Sequence, residues 1–128
     1  MSSQIAARPL AGIRILDMTT VMLGPYATQM LGDYGADIVK IESPAGDSTR
    51  ATGPAVEPSM AATFVGANRS KRSIVLDLKL ADARDALMVL IDSADVLVYS
   101  MRPQKMAALG LAPDVLRTRN SKLVVVAV

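Results

Sequence analysis

Short, β-branched apolar runs alternate along the chain with stretches whose apolar residues recur at helical spacing. "IRILDM" (13–18), "DIVKIE" (37–42), "SIVLDL" (73–78), "DVLVYS" (95–100) and "KLVVVAV" (122–128) predict five strands. Gly24-Pro25 opens a helix between the first two, because a proline in the first turn gives up no needed hydrogen bond. Ala27, Met30, Leu31 and Tyr34 then fall at i, i+3, i+4 and i+7, one face of that helix. Gly35 supplies a left-handed residue to end it. Ala83, Leu87, Leu90 and Ile91 mark a second amphipathic helix. Pro103 opens a short one to about Leu109, closed by Gly110, and "PDVLRTR" (113–119) predicts a further helical turn. Residues 43–72 hold no sustained period apart from a short helical turn around 59–66, and a loop that long is usually functional or disordered.

Strands that alternate with helices imply βαβ units. The expected fold is α/β, a Rossmann-like parallel sheet with helices on both faces. Residues 1–8 read as a flexible tail and 9–128 as the folded part. The most apolar strand comes last, where a parallel strand would normally be covered by a following helix. That predicts an incomplete unit, or a sheet completed by another chain, with a short edge strand as the plainer alternative.

Composition narrows the chemistry. At 128 residues and 51% apolar, the chain can bury one core. A net charge of +2 does not announce nucleic acid, and three Tyr, one Phe and no Trp leave little for base stacking. The run Arg69, Lys71, Arg72 could meet an anion, and a solvated loop explains it equally well. With no Cys and no His, thiolate chemistry, a Ser-His-Asp triad and a His-held metal are excluded within the chain. No metal is expected, and chemistry falls to Asp, Glu, Lys, Tyr, Ser or Thr. No apolar stretch approaches the roughly 18 residues of a membrane span, and no signal peptide is evident, so a cytoplasmic protein without membrane or nucleic-acid partners is expected.

Glu42 stands where a dinucleotide-binding sheet carries its ribose acid, but "TTVMLGPYATQ" has one glycine, followed by proline, instead of the Gly-x-Gly-x-x-Gly turn. A Walker A loop is absent. Parallel sheets bind ligands beyond the carboxyl ends of their strands, here Thr19–Leu23, Glu42–Arg50, Leu76–Lys79 and Ser100–Arg102. Apolar Met22, Leu23, Leu76, Leu78 and Met101 accompany cationic Arg50, Lys79 and Arg102 there. That mixture suits an amphipathic anion such as an acylated nucleotide. Core packing for the apolar residues, and solvated charge for Arg50 and Lys79, are the alternatives.

Three ordered blocks, "PLAGIRILDMTTVMLGPYATQMLGDYGADIVKIESPAGDSTR", "NRSKRSIVLDLK" and "ADVLVYSMRPQKMAALGL", resemble family III CoA-transferases. That family includes formyl-CoA transferase, carnitine CoA-transferase and α-methylacyl-CoA racemase. The resemblance covers residues 9–128 and implies the N-terminal part of the family's large domain. It implies coenzyme A or acyl-CoA as substrate, held by Met22, Leu23, Leu76, Asp77, Leu78, Lys79, Ser100, Met101 and Arg102. Asp47 and Arg50 resemble the family's Gly-Asp-x-x-Arg element and are expected to pair and shape their loop. The chain departs from the family at Ser43, Ser100-Met101, Gln104 and Ala108, which stand for Arg, Asn-Phe, Gly and Arg. Each loss of a cation or aromatic should weaken CoA binding by ~1 kcal/mol.

The implied reaction moves CoA between carboxylic acids through an Asp acyl intermediate, and that Asp lies beyond the matched region. No residue of this chain is assigned as catalytic; Asp17 and Asp77 read as caps at strand ends. The alternatives are an α-methylacyl-CoA racemase-like enzyme, in which the same CoA half serves proton abstraction, and a non-catalytic CoA-binding or partner-completing half-domain. A homodimer, or a partner chain that completes the sheet, is expected.

Overall fold

The structure, a computed structural model, describes residues 8–128. The expected tail lies outside the described residues except for Arg8. Five parallel strands, β1 (Arg14–Met18), β2 (Asp37–Glu42), β3 (Lys71–Val75), β4 (Val96–Tyr99) and β5 (Val124–Ala127), form one sheet in the order β3-β2-β1-β4-β5. The helices are α1 (Leu23–Asp33), α2 (Ala62–Asn68), α3 (Ala81–Asp92), α4 (Pro103–Ala108) and α5 (Pro113–Arg119). A one-turn 3-10 helix, Ser48–Ala51, precedes α2. The chain runs outward from β1 to β3, returns to β4 beside β1, and runs out to β5. The order therefore reverses between β1 and β4, and a crevice opens beyond the strand ends at that point.

The two faces of the sheet are built differently. Side chains alternate along a strand, so β1 sends Ile15 and Asp17 one way and Leu16 and Met18 the other. Leu16, Met18, Val39, Ile41, Leu97 and Tyr99 pack with Leu87 and Ile91 of α3, Met106 of α4 and Leu116 of α5 in the main core. The α1 face has a smaller apolar cluster, Ile15, Ala36, Ile38 and Val98. Beside it lies a buried polar layer. Asp17, Lys40 and Ser73 stand in register across β1, β2 and β3. The Asp17 carboxylate, fully buried, accepts from Lys71 Nζ at 2.8 Å, Thr28 Oγ1 at 2.6 Å, and the Thr19 hydroxyl and amide.

This polar layer explains a reversal in α1. Of the expected apolar face, Leu31 packs against the smaller cluster, while Ala27, Met30 and Tyr34 are exposed. Gly24, Pro25, Thr28, Gln29 and Gly32 face the sheet, while Leu23, Tyr26, Met30 and Tyr34 are exposed. The helix sits too close for large side chains, since a Cβ on Gly24 would stand 2.4 Å from Thr19 Cβ. Gly35, at φ +105°, ends the helix as expected, with Ala36 N–H donating back to Leu31 O.

β3 begins and ends earlier than its apolar pattern suggests. Lys71 and Arg72 belong to the strand, and Leu76–Leu80 turns away, fixed by the Asp77 carboxylate accepting Lys79 N–H. The basic run is consumed by ion pairs, Arg69 to Asp33, Lys71 to Asp17 and Arg72 to Asp37, so it does not present free charge to an anion. No described helix is long and apolar enough to cross a membrane.

Asp17→Ala strands the Lys71 ammonium in a buried site and is expected to cost about 3–5 kcal/mol in urea unfolding; adding Lys71→Met should restore most of it, because an apolar pair needs no counter-charge. Gly24→Ala should cost roughly 1–3 kcal/mol by pushing α1 off Thr19.

Candidate active site

A cavity of about 560 Å³ opens beyond the carboxyl ends of β1, β2, β3 and β4. Met18, Ile41, Leu76, Leu78, Met101 and Leu109 give it apolar walls. Thr20, Ser43, Asp77 and Ser100 add polar groups, and Lys79, Arg102 and Lys105 add cations. Thr20 N–H donates to Ser100 Oγ at 3.3 Å across the point where the strand order reverses. Half of the chain's fourteen cations are in ion pairs, but Lys79, Arg102 and Lys105 make none among the described residues.

Leu76, Asp77, Leu78, Lys79, Ser100, Met101 and Arg102 therefore meet in one cavity. Met22 and Leu23 do not join them. They stand exposed at the start of α1 and do not line the cavity. Lys105 and Leu109 were not anticipated. Pro103 starts α4 right after Arg102, so the chain turns back over the strand ends and carries both residues to the rim.

The loop after β2 is the most heavily tied part of the site. Asp47 and Arg50 do not pair with each other. Arg50 instead reaches back to Glu42, Nη2 to Oε2 at 2.6 Å and Nε to Oε1 at 2.8 Å. Its guanidinium stacks on Phe64 of α2 at 3.7 Å from the ring centre. Ser73 Oγ and Asp47 N–H also donate to Glu42. Burial raises the Glu42 pKa, but Arg50, Ser73 and the Asp47 amide outweigh it and bring it down to about 2. Glu42 is thus occupied by the protein, which removes it as a ribose acceptor.

Asp47 serves a different partner. Its carboxylate lies 3.1 Å from Lys40 Nζ, and both side chains are almost wholly buried. It also accepts Thr49 N–H and Oγ1 and caps the 3-10 turn. Burial pushes the Asp47 carboxyl up, while Thr49 and then Lys40 hold it below its ordinary value. The reason for the swap is position. Glu42, at the end of β2, is the carboxylate within reach of Arg50, and Lys40, two residues earlier on the same face, would be unpaired without Asp47.

Residues 10–128 match the sequence pattern of CoA-transferase family III. The chain belongs to that family. It is 40% identical over 126 residues to the probable fatty acyl-CoA transferase Rv3272 of Mycobacterium tuberculosis, across 97% of this chain and 32% of that protein. It is 42% identical to the succinate–glutarate CoA-transferase of Agrobacterium fabrum, across 91% of this chain and 31% of that one. A crystal structure of Rv3272 superposes with a TM-score of 0.88 over 94% of this chain and 34% of its own. A CAIB/BAIF family protein from Brucella suis, 34% identical, superposes with a TM-score of 0.89 over 94% of this chain and 33% of its own. The chain spans about a third of the length of the curated relatives it matches.

The depressed carboxyls set an acid limit. A carboxyl whose folded pKa is lowered adds stability above its unfolded pKa and loses it as pH falls. Stability should therefore drop as pH falls from about 4.5 towards 2, the interval over which Glu42 takes up its proton later than an unfolded glutamate would. Glu42→Gln should flatten that part of the profile while lowering stability at pH 7, as read by urea midpoints across the range.

Proposed function

We propose that the strand-end cavity holds the CoA portion of an acyl-CoA, and that the chain supplies this part of a family III CoA-transferase that moves CoA between carboxylic acids. The observation that carries the reading is the set of unpaired cations, Lys79, Arg102 and Lys105, beside an apolar wall in one cavity. A CoA thioester is amphipathic in the same way. Its phosphates need fixed donors, and its pantetheine arm needs a narrow slot with few charges.

In this reading the reaction begins when a carboxylate attacks the thioester carbonyl. CoA thiolate leaves and a mixed anhydride forms; the thiolate then attacks the enzyme-side carbonyl of that anhydride, releasing the first acid as its carboxylate and leaving an enzyme–CoA thioester. The second acid's carboxylate attacks that thioester, and the released thiolate attacks the acid-side carbonyl of the resulting anhydride, giving the new acyl-CoA and the free enzyme carboxylate. The buried carboxylates of this chain suit other work, because Asp17, Glu42 and Asp47 are each bound to a cation. The attacking Asp is accordingly assigned to polypeptide beyond these 128 residues, as the family resemblance implies. The task of this chain's residues is to fix the phosphates and orient the thioester. The same proposal includes a cytoplasmic location and a homodimer, or a partner chain that completes the sheet beside its edge strand β5.

Calorimetric titration of the purified chain should show saturable binding of CoA and acetyl-CoA and none of NAD. Lys79→Ala and Lys105→Ala should each weaken CoA roughly ten-fold, the scale of a lost charge-assisted contact, while Arg117→Ala on exposed α5 should leave it unchanged. A folded chain that binds no CoA, or equal effects at all these positions, would overturn the assignment.

A further inference from the structure

Val21 is held in a conformation that its own side chain opposes. Its φ is +72°, and a β-branched residue seldom adopts the left-handed region. Packing does not impose this, since Val21 is 51% exposed. The backbone does. Val21 N–H donates to both Asp47 oxygens, at 3.2 and 3.3 Å.

Lys40 closes the arrangement. From the middle of β2 its ammonium donates to Thr19 O at 2.8 Å and pairs with Asp47 at 3.1 Å. One buried cation thus grips the end of β1 and, through Asp47, the loop after β2. Between those two grips lies Thr20, which lines the cavity and reaches Ser100 on the far side of the crevice. Asp47 is in turn fixed by Glu42 through its amide and by Thr49 through its carboxylate.

We propose that Lys40 and Asp47 are positioning residues for the CoA site, whose buried ion pair holds the turn Thr19–Leu23 with Val21 in the left-handed conformation and so sets the edge of the cavity. The inference rests on the CoA reading for its effect on affinity, but not for its effect on Val21. Strain kept in place by a buried, over-determined contact is a device for pre-organising a site. It also explains why Asp47 lies in the loop after β2 yet serves the loop after β1.

Asp47→Asn tests this in the full chain. It keeps the side-chain size but removes the charge that answers Lys40. Amide exchange at Val21 is expected to quicken roughly ten-fold, by loss of that local hydrogen bond, and CoA affinity to fall by about the same factor. Adding Val21→Gly should restore most of the affinity, because glycine takes the left-handed form without cost. Because Val21→Gly also relieves backbone strain, urea midpoints measured on the single and double variants separate a general gain in stability from a restored turn. Unchanged Val21 exchange in Asp47→Asn, or affinity that Val21→Gly fails to restore, overturns the proposal. Should Asp47→Asn fail to fold, Val21→Pro replaces it. Proline fixes a negative φ at this exposed position and should abolish CoA binding in a folded chain; wild-type binding by that variant overturns the proposal too. If the unsubstituted chain does not bind CoA, the functional reading fails, and the exchange comparison alone decides the positioning role.

Discussion

A lysine ammonium at 1% exposure, on an inner strand of a parallel sheet, must be answered by an anion brought to it by the fold. Lys40 is that group, and much of the structure around the site follows from satisfying it. Asp47 can reach Lys40 only if the chain after β2 folds back over the strand ends. Glu42, next on the same face, draws Arg50 inward, and Arg50 draws Phe64 and with it α2. Asp17 of β1 and Lys71 of β3 form the same kind of pair across β2. The α1 face is therefore specified by charge pairing and close approach, and the opposite face by apolar burial.

This division decides how much of the fold can be read from the chain. β1, β2, α3 and α5 stand where the sequence pattern puts them: Leu87 and Ile91 of α3 are buried as its period requires, and Leu16, Met18, Val39 and Ile41 give β1 and β2 one apolar face in the main core. For α1 the period is right and the side is wrong. Helical spacing shows that Met30 and Tyr34 share a face, but it does not say which face is inside. That was decided by Thr19 and the buried charges, which admit Gly24, Thr28 and Gly32 and exclude anything larger. β3 was displaced for a related reason. Its opening lysine looks like surface charge until Asp17, 54 positions earlier, is seen to be buried opposite it. One signal was available: an inner parallel strand has no solvent face, so Lys40 and Glu42 in "DIVKIE" both required buried partners.

The candidate site was more legible than the packing, because the rule that points to it is topological. Ligands gather where strand order reverses, and that rule depends on the sheet rather than on any one side chain. It brought Leu76–Lys79 and Ser100–Arg102 to one cavity. It does not reach Lys105, which arrives by the turn of α4, and it overreaches at Leu23, 76% exposed on the outer side of α1. Lys40, Arg50 and Lys71 are neutralised within the protein, and the cations without an ion pair that line the cavity are Lys79, Arg102 and Lys105.

The most direct test is a CoA titration of the isotopically labelled chain, followed residue by residue in its amide spectrum. The account predicts that shifts concentrate at Thr20, Gly46, Leu76–Lys79 and Ser100–Lys105, while α5 and β5 stay still. Shifts centred on the exposed row of α1 or on α5, with the cavity residues unmoved, would contradict it.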